Sequence, residues 1–202
     1  MRDARILIVG TGKAFGGTER VALALAGAFA ASGAEVRCVI DPGAAAFRER
    51  LRAAGVETVP IAEASTRALA VPLEEEICRF RPAVAHIHRN WPLADRYAAA
   101  AAARGGAGRI VATEHVRVEE CGLRDRFAKR LLARRDDRII AVSGAVRESL
   151  IRYWRIPGGR IEVIPNGIDT ARFRDVPRMD PDPFPEGAAP RIGSIGRQER
   201  QK

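Results

Sequence analysis

The sequence predicts an α/β fold in which a doubly wound parallel sheet carries helices on its faces. Three observations point there. Short β-rich runs alternate with helical segments along residues 1–169. Each run is nearly continuously apolar, as expected of a parallel strand covered on both faces. The first run, Ile6-Leu7-Ile8-Val9, leads straight into a glycine-rich turn and then a helix. That order sets backbone N–H groups and a positive helix end at one place, suited to phosphate or another anion. Right-handed crossovers make the whole Rossmann-like.

The first strand is read over Arg5–Gly10. Thr18 is the expected N-cap of the first helix, with Glu19 in its first turn where the dipole favours an acid. Val21, Leu25 and Phe29 fall on one face, and Ser32-Gly33 ends the helix through a left-handed glycine cap. Val36–Ile40 is the second strand. Asp41 and Pro42 then read as N-cap and first residue of a helix over Ala44–Ala54, stopped by Gly55. Val56–Ile61 is the third strand and Ala62–Val71 is irregular. Pro72–Phe80 is a short helix that buries Leu73, Ile77 and Phe80.

Ala83–His88 is the fourth strand, followed by an alanine-rich helix over Pro92–Ala103 that Gly105-Gly106 closes. Arg109–Thr113 is the fifth strand, and Glu114 to Gly122 an irregular loop. The helix Leu123–Arg135 is expected to turn Phe127, Leu131 and Leu132 inward and its arginines outward. Arg138–Val142 is the sixth strand, Ser143 caps a helix to Tyr153, and Ile161–Ile164 is the seventh strand. Residues 170–190 have linker composition, with Pro177, Pro181, Pro183, Pro185 and Pro190 among Asp and Arg. Arg191–Gly196 reads as a strand and glycine turn, the start of a second domain over 191–202.

The formal net charge is +9, nearly all of it arginine, since Lys13, Lys129 and Lys202 are the only lysines. Such a balance implies an anionic partner or a surface of solvated arginines. The arginines are spread out, with local density only at Arg124 to Arg138, and they are not interleaved with aromatics, so nucleic acid is not expected. Cys38, Cys78 and Cys121 are odd in number with no C-x-x-C spacing, which reads as reduced thiols. The longest apolar stretch is too short to span a bilayer, and a cytoplasmic location is expected, with the inner face of the membrane as a peripheral alternative.

In an open α/β sheet, ligands bind outside the carboxyl ends of the strands. The candidates are therefore Gly16, Gly17, Thr18 and Glu19 after the first strand, and His88, Arg89 and Asn90 after the fourth. Glu114 and His115 follow the fifth, Ser143 the sixth, and Asn166, Gly167 and Asp169 the seventh. His86 and His88 are read as facing different sides or ends of the sheet, His86 in a structural role. The first turn could also be a dinucleotide fingerprint, Gly10-x-Gly12-x-x-x-Gly16 with Asp41 as ribose ligand, although the G-x-G-x-x-G spacing is missing. A Walker loop is excluded because no Gly-Lys-Ser/Thr closes the turn. No metal-binding cluster of His, Cys or carboxylate is visible.

Gly16-Gly17-Thr18-Glu19-Arg20 resembles the GG-x-E turn of family 4 glycosyltransferases, which have the GT-B fold. Val163-Ile164-Pro165-Asn166-Gly167-Ile168-Asp169 resembles the run that closes their N-terminal domain. Ile195-Gly196-Arg197 with Lys202 resembles the G-R-x-x-x-x-K start of their donor-binding domain. His86–His88, Thr113-Glu114-His115 and Ala141-Val142-Ser143 match the family's strand ends.

The resemblance implies transfer of a sugar from a nucleotide diphosphate sugar to a glycan or lipid-linked acceptor, with retention and without a metal or other cofactor. It implies that Gly16 and Gly17 approach the donor diphosphate, that His115 contacts the donor sugar, and that Arg197 and Lys202 neutralise the leaving phosphate. Thr18, Glu19, His88, Asn90, Ser143 and Asn166 would line the cleft on the acceptor side. The family's second domain is expected after Lys202, so the chain reads as an N-terminal half, inactive alone. Two other readings stay open: an NAD(P)-binding oxidoreductase domain, and a non-catalytic module for an anionic glycolipid. The basic helix Leu123–Arg135 adds an expected weak association with acidic membrane.

Overall fold

The computed structural model describes residues 4–174. The chain divides into two compact units, Met1–Gly167 and Ile168–Lys202. In the second unit the described residues form a short 3-10 turn, Thr170–Phe173, capped by Asp169, whose carboxylate accepts from the N–H of Ala171 at 3.0 Å. The expected strand Arg191–Gly196, most of the expected linker, and Arg197 and Lys202 lie outside the described residues.

The first unit is built on seven strands: β1 Arg5–Gly10, β2 Glu35–Ile40, β3 Glu57–Pro60, β4 Val84–Arg89, β5 Arg109–Glu114, β6 Arg138–Ala141 and β7 Ile161–Val163. All neighbours pair parallel, in the order β3-β2-β1-β4-β5-β6-β7. The order reverses between β1 and β4, which is where an open sheet of this kind leaves a crevice.

The helices are α1 Gly17–Ala31, α2 Ala45–Ala53, α3 Val71–Phe80, α4 Ala98–Arg104, α5 Leu123–Leu132 and α6 Gly144–Arg152. Right-handed crossovers put α1 and α2 over one face of β1–β3 and α3 to α6 on the other face. One core packs Ile6, Ile8, Cys38 and Ile40 against Ala22, Ala26, Phe47 and Leu51. A second packs Leu7, Val9, Ala85 and Ile87 against Leu73, Ile77, Phe80 and the alanines of α4. On the α1 side, strands β5 to β7 carry no helix among the described residues, and Val111 and Ile140 are half-buried there. Coverage of both faces, expected for the whole sheet, therefore holds only for its first half.

Several local expectations need correction. Helix α1 starts at Gly17 and its N-cap is Gly16, not Thr18, because Glu19 reaches back to the Gly16 N–H at 2.9 Å. Its buried face is Ala22 and Ala26, small residues that let the helix approach the sheet, while Val21, Leu25 and Phe29 are half-buried flanks. Asp41 caps no helix. Its carboxylate accepts from the N–H of Gly43 at 2.8 Å in a local turn, and α2 begins at Ala45. Gly33 and Gly55 do end α1 and α2, with φ of 87° and 71°.

Helix α4 begins at Ala98, not Pro92. Residues 92–97 instead wind around the buried Asp95, which has φ of 48°. Ala98 to Ala102 are all buried, and a Cβ on Gly105 would stand 2.8 Å from Ile77 and 2.9 Å from the Glu74 carbonyl. Only alanine and glycine fit where α3 and α4 lie this close.

The largest departure is α5. Leu123, Phe127 and Leu131 are 78%, 69% and 50% exposed, whereas Lys129 is 2% exposed. The helix is turned with Phe127 and Leu131 out and a lysine in, while Leu132, also expected inward, is half-buried. The cause is a buried ion network. Lys129 Nζ binds Glu114, and Arg89 binds Glu114 at 3.2 Å and Asp136 at 2.8 and 3.0 Å. Burial pulls the Lys129 ammonium down from its ordinary range, and Glu114 opposes that pull. Burial also works against charge on Arg89, but Asp136 and Glu114 outweigh it and hold the guanidinium above its usual value. Two anions from other elements thus fix which side of α5 faces in.

Candidate functional site

The turn after β1 carries Thr11 to Gly16. Thr11 donates its hydroxyl to Asp95, whose other oxygen accepts from the N–H of Ala64 at 2.9 Å. Asp95 thereby ties together the exits of β1, β3 and β4. Its burial raises the carboxyl pKa, and the Thr11 and Ala64 bonds oppose the rise. Gly12 packs against Glu19 so closely that a Cβ there would collide with Glu19 Oε1, and the same position lies 3.6 Å from Asn90 Nδ2. A side chain at position 12 would push the Glu19 carboxylate out of its place.

The Gly16 N–H, expected to face a ligand, is occupied by Glu19. Glu19 itself is buried in the turn. The N–H groups of Gly17, Thr18 and Glu19 head the helix with no acceptor inside it, so the positive end of α1 remains available to an anion. Gly17 is exposed, with open space around it, and Thr18 is half-buried.

The exits of β4 and β5 carry three histidines. His86 and His88 are two residues apart on one strand, and the pleat puts both on the same face, not on different sides. Their ring centroids stand 4.4 Å apart. His86 Nε2 lies 2.7 Å from Thr113 Oγ1, and His88 Nδ1 lies 3.0 Å from His115 Nε2. The β4–β5 register sets His88 beside Thr113 and so brings His115 within reach. Burial lowers all three imidazole pKa values, with His86 falling to about 4 and His88 well below its ordinary value. The three rings are neutral at pH 7. Thr113 is the member that strand-exit reasoning missed, because its role depends on pairing across strands.

His115 opens a loop that is anchored and not free. The Val118 carbonyl accepts from Ser149 Oγ and, at 3.3 Å, from Trp154 Nε1, and the Val118 N–H donates to Ser149 at 3.1 Å. Trp91, just past Asn90, is 51% exposed and borders a shallow groove of about 520 Å³ with Arg117, Glu119 and Glu120. Neither Asp95 nor Trp91 was singled out by sequence, as no local motif marks them.

The remaining candidates are less central. Asn90 is exposed beside Gly12. Ser143 is the N-cap of α6, its hydroxyl accepting from the Val146 N–H at 3.2 Å, so its polar group is already engaged. Asn166 is exposed beyond β7, and no hydrogen bond joins it to the histidines. Among the described residues no group of His, Cys, Asp and Glu could hold a metal ion, and no helix is long and apolar enough to cross a membrane. Cys38, Cys78 and Cys121 are unpaired, and burial pushes the Cys38 thiol up to about 12.

Residues 15–172 match the family model described as Glycosyltransferase Family 4. No curated protein matches the chain in sequence. Among solved structures, a glycosyltransferase from Rickettsia africae superposes with a TM-score of 0.72 at 18% identity, covering 86% of this chain and 46% of that one. HepE of Anabaena in complex with UDP gives 0.69 at 17% identity, covering 86% and 47%. MurG of Acinetobacter baumannii gives 0.58 at 11% identity, covering 87% and 50%. The chain thus spans about half the length of these structures, and the likeness is one of fold. With the family model covering most of the chain, this protein belongs to glycosyltransferase family 4.

Proposed function

We propose that the chain supplies the acceptor-side half of a glycosyltransferase, one that moves a sugar from a nucleotide diphosphate sugar to an acceptor with retention. The observation that carries this is the gathering of His88, His115, Asn90 and the N-terminal end of α1 at neighbouring strand exits. HepE structures hold UDP, or UDP-glucose, which favours a uridine diphosphate sugar as donor here. As the bond from the sugar to the diphosphate breaks, negative charge builds on the leaving phosphate. The free N–H groups of Gly17 and Thr18 would stabilise that charge without reorganising. Arg197 and Lys202 would add cations, so no metal is required. His115, neutral and half-exposed, would contact the donor sugar.

The acceptor side is supported by Trp91. An exposed indole beside Arg117, Glu119 and Glu120 suits a glycan, whose C–H face packs on the ring and whose hydroxyls meet the charged rim. Weak association with acidic membrane is favoured by α5. Its outward Leu123, Phe127 and Leu131 are flanked by Arg124, Arg130 and Arg134, and a groove of about 290 Å³ beside it is lined by Arg67, Arg104, Arg134 and Arg135.

The test is release of nucleoside diphosphate from UDP-hexoses. The 202-residue chain alone should give none, and the two-domain protein containing it should give turnover with an acceptor. Turnover by the 202-residue chain alone, or saturable NADH fluorescence with no nucleotide-sugar turnover in either form, would contradict the proposal.

A further inference from the structure

His88 is fully buried, and among the described residues its Nε2 has no hydrogen-bond partner. Its other nitrogen, Nδ1, meets His115 Nε2 at 3.0 Å. A neutral imidazole carries one N–H and one bare nitrogen, so these two facts decide where both protons sit. A proton on His88 Nε2 would leave a buried N–H with no acceptor, which is rarer and costlier than a bare lone pair. An imidazolium is disfavoured by burial and by the rings of His86 and His115 on either side. The proton therefore belongs on His88 Nδ1, and it is donated to His115 Nε2. With Nε2 acting as acceptor, His115 must carry its own proton on Nδ1.

We propose that His88 is a positioning residue that locks His115 as its Nδ1–H tautomer, so that His115 offers a hydrogen-bond donor, not a bare nitrogen, to an oxygen of the sugar. The substrate role rests on the function proposed above, whereas the tautomer rests on the geometry alone. The two rings lie 23° apart in plane with centroids at 5.2 Å, so His88 also fixes the angle at which His115 is presented. His86 backs the pair from below and is itself held by Thr113.

The test is long-range proton–nitrogen NMR on the whole chain with labelled histidine, at a pH where all three rings are neutral. Only three histidines are present, so single substitutions assign them. Protons on Nδ1 of both His88 and His115 are expected. His88→Phe keeps a ring but removes the donor, and His115 should then shift toward the Nε2–H form that free histidine prefers. His88→Asn places an amide N–H near the former Nδ1 and should keep His115 in the Nδ1–H form. A proton on His115 Nε2 in the unsubstituted chain overturns the inference whether or not the variants fold. Unchanged nucleotide-sugar turnover in a His115→Ala two-domain enzyme would count instead against the function, a separate result.

Discussion

Arg89 grips Asp136 through both terminal nitrogens, at 2.8 and 3.0 Å, and neither group is open to solvent. The pair joins the end of β4 to the approach to β6 and, through Glu114, holds Lys129 of α5 inside. Removing one partner leaves a buried cation uncompensated. Asp136→Asn should lower the unfolding free energy by about 3–5 kcal/mol, read by urea denaturation. The exposed pair Arg104–Glu74, at 2.6 Å, is the contrast, and Glu74→Gln should cost about 1 kcal/mol or less.

The Gly12–Glu19–Gly16 arrangement predicts a non-additive pair. Gly12→Ala should displace the Glu19 carboxylate from the Gly16 N–H, and Glu19→Ala removes the same bond directly. Each should destabilise the protein by about 1 kcal/mol, the scale of a lost cap. The double variant should cost clearly less than the two together, since one bond cannot be lost twice. Additive losses would show that Gly12 is needed for another reason.

The outward stripe of α5 separates stability from binding. Phe127→Ser should change the unfolding free energy by about 0.5 kcal/mol or less, as for a surface site, while Trp154→Ala should cost about 3–5 kcal/mol. In co-sedimentation with vesicles rich in acidic lipid, the chain should bind at low salt, and Phe127→Ser should weaken binding. Binding should also fall as salt rises, because surface charges are screened.

The depressed histidines give the pH dependence its sign. Unfolded histidine binds protons below about pH 6.5, and His86 in the folded chain does so only near pH 4. The unfolded state therefore holds the extra proton between these values, and stability is lost as pH falls from about 6.5 toward about 4. His86 alone should contribute on the order of 3 kcal/mol to that loss. Urea midpoints at pH 7 and pH 5 measure the slope, which His86→Gln should flatten.

Much of this was legible in sequence because it is local. The alternation of apolar runs and helices, the glycine stops at Gly33 and Gly55, and the Ser143 cap each depend on neighbours along the chain. What sequence hid depends on partners far away. Phe127 and Leu131 read as inward until Glu114 and Asp136 are known to hold Lys129. Asp95 has no motif, since its partners Thr11 and Ala64 come from two other strand exits. His88 and His115 were both candidates, but their hydrogen bond follows only from the β4–β5 register. The helix-capping preference for threonine favoured Thr18, while the Glu19 back-bond made Gly16 the cap.

The most direct measurement is the turnover number of the two-domain transferase with His115→Ala, alongside a denaturation curve of the same variant. On this account a fall of about 100-fold or more with the fold intact is expected if, as proposed, His115 contacts the donor sugar. Undiminished turnover in a folded His115→Ala enzyme would contradict it.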